Sequence, residues 1–300
     1  MREVILATTI QNAFNEYKSN LEITERQTEL ISNRRKSAIS AIKKAITLHH
    51  NESNLIGSYD RNTLIRYLSE GDVDVMVILH YGDNKIYHTN EGASRILTKI
   101  KNILEETFPA VNKRIDRNCV RMKYSEFILD IVPAFSFTDA TFRIPDSVRQ
   151  QWLKTDPVKF AEKTTSVNKN MDGCFIPLIK MIKGWNRENG FPLKSFHLEC
   201  MMLDRYKDYT QGYTYPSMIK VFFENINSYL LLPTYDPITL DRVDLYLDNN
   251  AQVSKRDIAI KLAKKAAADS KEAFEDQDKY PSIAVGEWKA LLGSFFPSYG

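Results

Sequence analysis

The sequence predicts an α+β fold: helices and a mixed sheet in the first half, then a helical lobe. Three observations point to it. Residues 1 to about 50 contain no Gly or Pro and repeat apolar side chains at helical spacing. Residues 54–143 break into short β-branched runs around one helical stretch. Beyond Pro145 the strand texture fades and Pro-punctuated helical periodicity takes over.

Taken in order, Ile10, Phe14, Tyr17 and Leu21 mark one face of a long N-terminal helix, which Ile39, Ile42 and Ile46 continue. Leu55-Ile56 runs into a Gly57-Ser58 turn, and residues 73–79 are strand-like. Residues 92–108 read as a helix with Ile96, Ile100, Ile103 and Leu104 on one side. The runs 119–124 and 127–132 are close enough to pair as strands. Helical patterns follow at about 157–168, 172–189, 195–207, 217–231, 252–274 and 283–293, punctuated by Pro157, Pro192, Pro216, Pro233 and Pro281. The expected division is residues 1–160, the N-terminal helix with the mixed α/β part, and residues 161–300, a helical domain.

Composition narrows the function classes. The chain has 300 residues, 43% hydrophobic and 26% charged, with 11 Gly and 11 Pro, which excludes collagen-like, low-complexity and mainly disordered chains. A net charge of +3 is too balanced for a protein that coats nucleic acid, so no stable nucleic-acid partner is expected. Cys119, Cys174 and Cys200 are widely spaced without a CxxC pair, so neither a disulfide framework nor a zinc site is built from them, and they read as small buried hydrophobes. No apolar stretch approaches the ~18 residues of a membrane span. The start, Met1-Arg2-Glu3-Val4, leads into an amphipathic pattern instead of a signal segment; a cytoplasmic location and no membrane partner are expected.

The chemistry-bearing stretch is Gly57-Ser58-Tyr59-Asp60-Arg61-Asn62-Thr63, followed by Asp72-Val73-Asp74 and Val75-Met76-Val77-Ile78-Leu79. On a strand, Asp72 and Asp74 share one face, roughly 6–7 Å apart, while Val73, Val75, Val77 and Leu79 take the other. Paired carboxylates on a strand end suit hard cations such as Mg²⁺ and otherwise repel. A third carboxylate, Asp130, interrupts the apolar run 127–132, where burial is costly unless it is paired or binds metal. If the two strands are neighbours, Asp72, Asp74 and Asp130 converge as catalytic, metal-binding residues of a two-metal site. Gly57 permits close backbone approach to a triphosphate, and Ser58 offers a hydroxyl and an amide.

These residues resemble a known family. Gly57-Ser58 with Arg61 and Thr63, Asp72-Val73-Asp74 inside a hydrophobic strand, and Asp130-Ile131-Val132-Pro133-Ala134 look like the nucleotidyltransferase superfamily with a DNA-polymerase-β-like palm. Within it, the chain is similar to the bacterial cyclic-oligonucleotide synthases of antiphage defence, related to cyclic GMP-AMP synthase and oligoadenylate synthase. The similarity continues through Ile144-Pro145-Asp146, the stretch 152–157, Asn170, the stretch 178–186 and Ser195-Phe196-His197-Leu198-Glu199, covering about residues 50–240.

The resemblance implies a polymerase-β-like palm, a helical C-terminal lobe and a long N-terminal spine helix. It implies Asp72, Asp74 and Asp130 as ligands of Mg²⁺ or Mn²⁺, two ions per site, and Gly57 and Ser58 as the phosphate-binding turn. Lys183 matches a basic residue at the triphosphate, Ser195 a small polar residue at the same phosphates, and Phe196 an aromatic that stacks on a base; Lys180 and Arg61 are further nucleotide-binding candidates. Each also has a plainer reading: Lys183 as a solvated lysine, Ser195 as a helix cap, Phe196 as core, Arg61 and Thr63 as loop-fixing residues, and Trp152, Trp185 and Trp288 as packing anchors. The basic residues Lys113, Arg114, Arg117 and Arg121 read as a solvated face or, alternatively, a nucleotide-facing patch.

The implied function is condensation of NTPs, ATP among them, into a cyclic di- or trinucleotide with release of pyrophosphate. An RNA-end-directed nucleotidyltransferase and a non-catalytic nucleotide sensor are the competing expectations. The resemblance also implies an activator or conjugating partner protein, the latter acting at Gly300, and a downstream effector that senses the product.

Overall fold

The structure is a computed structural model that describes residues 9–137, 141–210, 212, 214–248 and 254–300. The chain divides into two compact units, residues 23–161 and residues 1–22 together with 162–300. The expected boundary at 160/161 lies beside this division. Of the N-terminal helical stretch, expected with the first half, only the part up to residue 22 groups instead with the second.

The long helix expected up to residue 50 is two helices, α1 (Ile10–Leu21) and α2 (Glu25–Lys43). Thr24 separates them with a capping box: its hydroxyl accepts from Gln27 N at 3.2 Å, and its own N–H donates to the Gln27 side chain at 2.9 Å. By residue 48 the chain has already entered β1 (Leu48–Ile56), so the helical stretch is shorter than periodicity suggested.

Residues 23–161 form a mixed seven-stranded sheet. Its strands are β1, β2 (Asp72–Leu79), β3 (Asn112–Asp116), β4 (Cys119–Lys123), β5 (Ile128–Ser136), β6 (Phe142–Asp146) and β7 (Gln151–Thr155). The order is β1-β2-β5-β4-β3, with β6 joining β5 and β7 joining β6. Only β2 and β5 run parallel; the other pairs are antiparallel.

Besides α2, the helices α3 (Gly57–Asp60), α4 (Tyr81–Asn84) and α5 (Gly92–Thr107) accompany the sheet. The alternation in β2 works on both faces. Val73, Val75, Val77 and Leu79 pack with Ile39 and Ile42 of α2 and with Ile96, Ile100 and Leu104 of α5. Met76 and Ile78 join Ala134 and Phe142 on the other side. Burying each such aliphatic side chain is worth about 2 kcal/mol, which fixes the strand's register and therefore the direction of its two aspartates.

β7 lies where no strand was expected. Its residues are half-exposed, too weak a pattern to read from sequence; Trp152 ties it down by donating its indole N–H to the carbonyls of Tyr87 and Thr89 at 3.0 and 3.1 Å.

The division between the units falls within α6 (Pro157–Asn170). The second unit contains α1, most of α6, α7 (Phe175–Glu188), α8 (Ser195–Tyr206), α9 (Tyr215–Leu231), α10 (Lys255–Asp276) and α11 (Pro281–Leu292), and α6 to α11 each fall within a few residues of their predicted spans. α7 is buried on nearly every side, with Trp185 edge-on to Phe223 of α9 at 4.9 Å. Phe14 of α1 packs edge-on against Trp288 at 5.3 Å and Phe296 at 5.0 Å. A stripe of small residues, Ala259, Ala263, Ala266, Ser270 and Ala273, lets α10 lie close to α9 and α11. Cys119 and Cys200 are buried as expected, whereas Cys174 is only half-buried, and no disulfide joins them. No described helix is long and apolar enough to cross a membrane.

Candidate active site

The three aspartates meet through strand register. In the parallel β2–β5 pair Asp74 lies opposite Asp130, and Asp72 lies two residues earlier, opposite Ile128. Side chains at paired positions project to the same face, so Asp72, Asp74 and Asp130 share one side of two adjacent strands. Their exposure differs: the Asp72 side chain is 52% exposed and that of Asp130 only 4%.

The phosphate-turn candidates lie against the same carboxylates. Ile56 is extended, Gly57 turns with φ of 70°, and α3 follows at once. A Cβ at Gly57 would lie 2.1 Å from Asp74 Oδ2, so only glycine leaves room for that carboxylate. Ser58 is held by its backbone: its carbonyl accepts the N–H groups of Thr63 at 2.8 Å and Leu64 at 3.0 Å. Arg61 is buried, with its guanidinium 4.7 Å from the centre of the Phe160 ring. Thr63 therefore fixes the loop, as the plainer reading had it, and Arg61 packs within the same unit.

One residue of this site was left between two readings by the sequence. Arg121 belongs to the basic group read as a solvated face or, alternatively, a nucleotide-facing patch, and it lies on the carboxylates. Its Nε donates to Asp130 Oδ1 at 2.9 Å and its Nη2 to Asp130 Oδ2 at 2.6 Å. The same Nη2 lies 3.3 Å from Asp72 Oδ2, and Nη1 lies 3.1 Å from Asp116 Oδ2. The signal was present in the sequence. The tight connection at 124–127 closes the β4–β5 hairpin, Tyr124 N donating to Phe127 O at 3.0 Å, and the register then sets Arg121 opposite Asp130.

The electrostatics follow from this crowding. Burial first, then the neighbouring charges of Asp72 and Asp130, push the Asp74 carboxyl up to about 7, against weaker pulls from Arg61 and Arg121. Arg121 is held more firmly protonated, chiefly by its hydrogen bonds to Asp130. Burial followed by the Asp130 charge raises the Cys119 thiol, which makes it a poor nucleophile.

By donor chemistry the three carboxylates fit a hard divalent cation: all are oxygen ligands, on rigid strands, and a positive group, the Arg121 guanidinium, already bridges two of them. In this arrangement, however, no group of three or more His, Cys, Asp or Glu side chains among the described residues is gathered closely enough to hold a metal.

The remaining candidates lie in the second unit. Lys183 is buried on α7 and paired with buried Glu199 at 2.6 Å, so it is not the solvated lysine of the plainer reading. Lys180, one turn earlier and also buried, pairs with Glu22 at 2.6 Å; burial lowers its pKa and Glu22 opposes this. Ser195 opens α8 but does not cap it: the N-cap is Lys194, without a side-chain hydrogen bond. Phe196 is 39% exposed, on the surface of α8 instead of in the core.

A mixed palm-like sheet with two carboxylates on one strand and a third beside them on its parallel neighbour, behind a Gly-Ser turn, defines the nucleotidyltransferase class, and this chain is an enzyme of that class. It belongs to the Second Messenger Oligonucleotide or Dinucleotide Synthetase domain family, matched over residues 8–168. A cyclic AMP-AMP-AMP synthase from Acinetobacter is 26% identical over 282 residues, 87% of this chain and 79% of its own length. Among solved structures, the Vibrio cholerae cyclic AMP-GMP synthase DncV, in complex with the linear intermediate pppA(3′,5′)pG, superposes with a TM-score of 0.75 at 12% identity, covering 98% of this chain and 97% of that one. The E. coli CdnC:HORMA complex gives a TM-score of 0.69 at 16% identity, covering 99% of both chains.

Proposed function

We propose that this nucleotidyltransferase condenses nucleoside triphosphates, ATP among them, into a cyclic di- or trinucleotide, and that the product is a second messenger of bacterial antiphage defence. The observation that carries the chemistry is the β2–β5 register, which sets Asp74 beside Asp130 and Asp72 two residues away, against the Gly57 turn. The name of the Acinetobacter relative, a maker of a cyclic trimer of AMP, supports the product class.

Asp72, Asp74 and Asp130 would hold Mg²⁺ or Mn²⁺, two ions in the arrangement proposed. When bound, the metal supplies charge neutralisation at the reacting phosphate and acidifies the attacking hydroxyl. The chain's own residues do the positioning. The Gly57-Ser58 turn presents backbone N–H and a hydroxyl to the terminal phosphates, with Arg61, packed on Phe160, as a further nucleotide contact. Lys183 would exchange its buried partner Glu199 for the triphosphate, with Ser195 and Lys180 as further polar contacts and Phe196 as a base platform. The hydroxyl of one nucleotide attacks the α-phosphate of another in line, and pyrophosphate leaves; a second transfer closes the ring. The HORMA partner of the E. coli structural neighbour supports a protein activator for this enzyme as well.

The test is incubation of the purified protein with labelled ATP, GTP, CTP and UTP plus Mg²⁺ or Mn²⁺, followed by phosphatase. A phosphatase-resistant small product that disappears in Asp72→Ala/Asp74→Ala is the expected result. Label appearing only in added RNA would replace this reading with RNA-end addition.

A further inference from the structure

We propose that Arg121 is a positioning residue that stands in for the metal: its guanidinium holds Asp130 and Asp72 together in the unloaded enzyme and is displaced when a divalent cation binds. The inference rests on the reading of Asp72, Asp74 and Asp130 as metal ligands, and assigns a role to a fourth side chain.

Register places it. Across the sheet, one row of paired positions runs from Arg121 on β4 to Asp130 on β5 and Asp74 on β2. All three side chains rise from the same face, and no loop movement is needed to bring the guanidinium onto the carboxylates. The contact is also divided in an informative way. Nε and Nη2 take the two oxygens of Asp130 as a fork, at 2.9 and 2.6 Å. The same Nη2 lies 3.3 Å from Asp72 Oδ2, so a single nitrogen spans two of the carboxylates that would hold the metal. A divalent cation sits about 2 Å from its oxygen ligands, so it and Nη2 exclude each other from that gap.

Charge explains why the sequence places an arginine there. Three carboxylates on adjacent strands, one of them 4% exposed, would repel strongly and carry a large desolvation cost. The Arg121 fork offsets both in the unloaded protein. The exit is built as well: the Arg121 side chain remains 22% exposed, and its Nη1 already lies 3.1 Å from Asp116 Oδ2, a carboxylate 40% exposed. A guanidinium that releases Asp130 and Asp72 therefore still has an anion to hold it.

The alternative role, in which Arg121 stays in place and orients Asp130 toward the metal, predicts the opposite sign. Mn²⁺ binding to the full chain, followed by the electron paramagnetic resonance of free Mn²⁺, separates the two. Arg121→Gln is expected to bind Mn²⁺ about tenfold more tightly than wild type, the scale of removing one screened like charge from a partly exposed site. Metal-free Arg121→Gln is also expected to melt at a lower temperature and to gain more from Mn²⁺. Arg121→Lys, which keeps a charge but cannot fork or span two carboxylates, serves if the glutamine variant fails to fold; it is expected to bind about threefold more tightly. Unchanged or weaker Mn²⁺ binding in a folded Arg121 variant overturns the displacement. Asp74→Asn distinguishes this from failure of the underlying site: no binding by the wild type, or binding that survives Asp74→Asn, overturns the metal-ligand reading together with the inference.

Discussion

Gly57 and Asp74 occupy one space: a side chain at residue 57 would begin 2.1 Å from the Asp74 carboxylate. The turn and the carboxylate are therefore a single geometric unit, with Gly57 at φ of 70° on one side and the β2 register on the other.

Gly57→Ala follows directly. Left-handed backbone costs a non-glycine residue about 1–2 kcal/mol, a loss the fold survives. The nearest atom is the end of the Asp74 side chain, so the carboxylate swings aside and the turn is preserved. The expected result is a melting temperature lowered by a few degrees, with product formation reduced about a hundredfold, as a misplacement near 1 Å can do. Comparable losses in stability and activity would show that Gly57 serves the fold alone.

Much of this arrangement was legible in the sequence, for physical reasons. The alternation of Val73, Val75 and Val77 with Asp72 and Asp74 could fold only as a strand with one acidic face, and Asp130 stood out because it interrupts an apolar run. Arg121 stayed between a solvated face and a nucleotide-facing patch because charge on an alternating strand first reads as solvent-facing; only the hairpin register, which a short turn fixes, sends it to Asp130. Lys183 was legible as a special position but not as half of a buried pair, since Glu199 comes from another helix and nothing local announces it. The break between α1 and α2 was overlooked, although Thr24 and Gln27 spell a capping box.

Gly184 makes a second close approach. A Cβ there would lie 2.2 Å from the Tyr17 hydroxyl oxygen but 3.4 Å from the ring carbon that carries it. Tyr17 donates to Leu292 O at 3.0 Å, tying α1 to the end of α11. Gly184→Ala is expected to cost about 2–3 kcal/mol in urea unfolding through overpacking of this buried contact. Adding Tyr17→Phe removes the clashing oxygen at the cost of about 1 kcal/mol for the lost hydrogen bond. The double variant is expected to be more stable than Gly184→Ala alone; additive losses would exclude this contact as the cause.

Asp244 concentrates the charge chemistry of the helical unit. Its carboxylate is 1% exposed, accepts from Arg242 and Arg256 at 2.9 Å each, and caps Thr234 N at 3.2 Å. Burial alone would raise its pKa, but the two arginines and the backbone hold it well below the usual carboxylate range. Asp244→Asn leaves two guanidiniums without their shared anion and is expected to cost about 3 kcal/mol in chemical denaturation. Asp248→Asn, at a half-exposed partner of Arg256, is expected to cost far less than Asp244→Asn. Equal effects at the two positions would refute the central role of Asp244.

His197 provides a pH dependence with a defined sign. It is buried, with Nδ1 3.0 Å from the Tyr246 hydroxyl and Nε2 3.1 Å from Thr234 Oγ1. Burial lowers its pKa to about 4; Asp244 works against this and Arg256 with it. The unfolded chain binds the proton near the ordinary value of 6.5, so protonation favours unfolding. The stability that His197 contributes is complete above about 6.5 and is lost as pH falls toward about 4, by about 3 kcal/mol in all. Asp244 adds only a small slope, confined to the bottom of this window, because its folded carboxyl stays ionised and the unfolded one takes up a proton only near its ordinary value of 3.8. His197→Gln keeps a hydrogen-bonding side chain without the titration, so the stability difference between wild type and this variant is expected to shift against wild type by about 3 kcal/mol as pH falls from 6.5 to 4, a comparison in which the opposing slope of the raised Asp74 carboxyl cancels. An unchanged difference would assign the acid sensitivity to other groups.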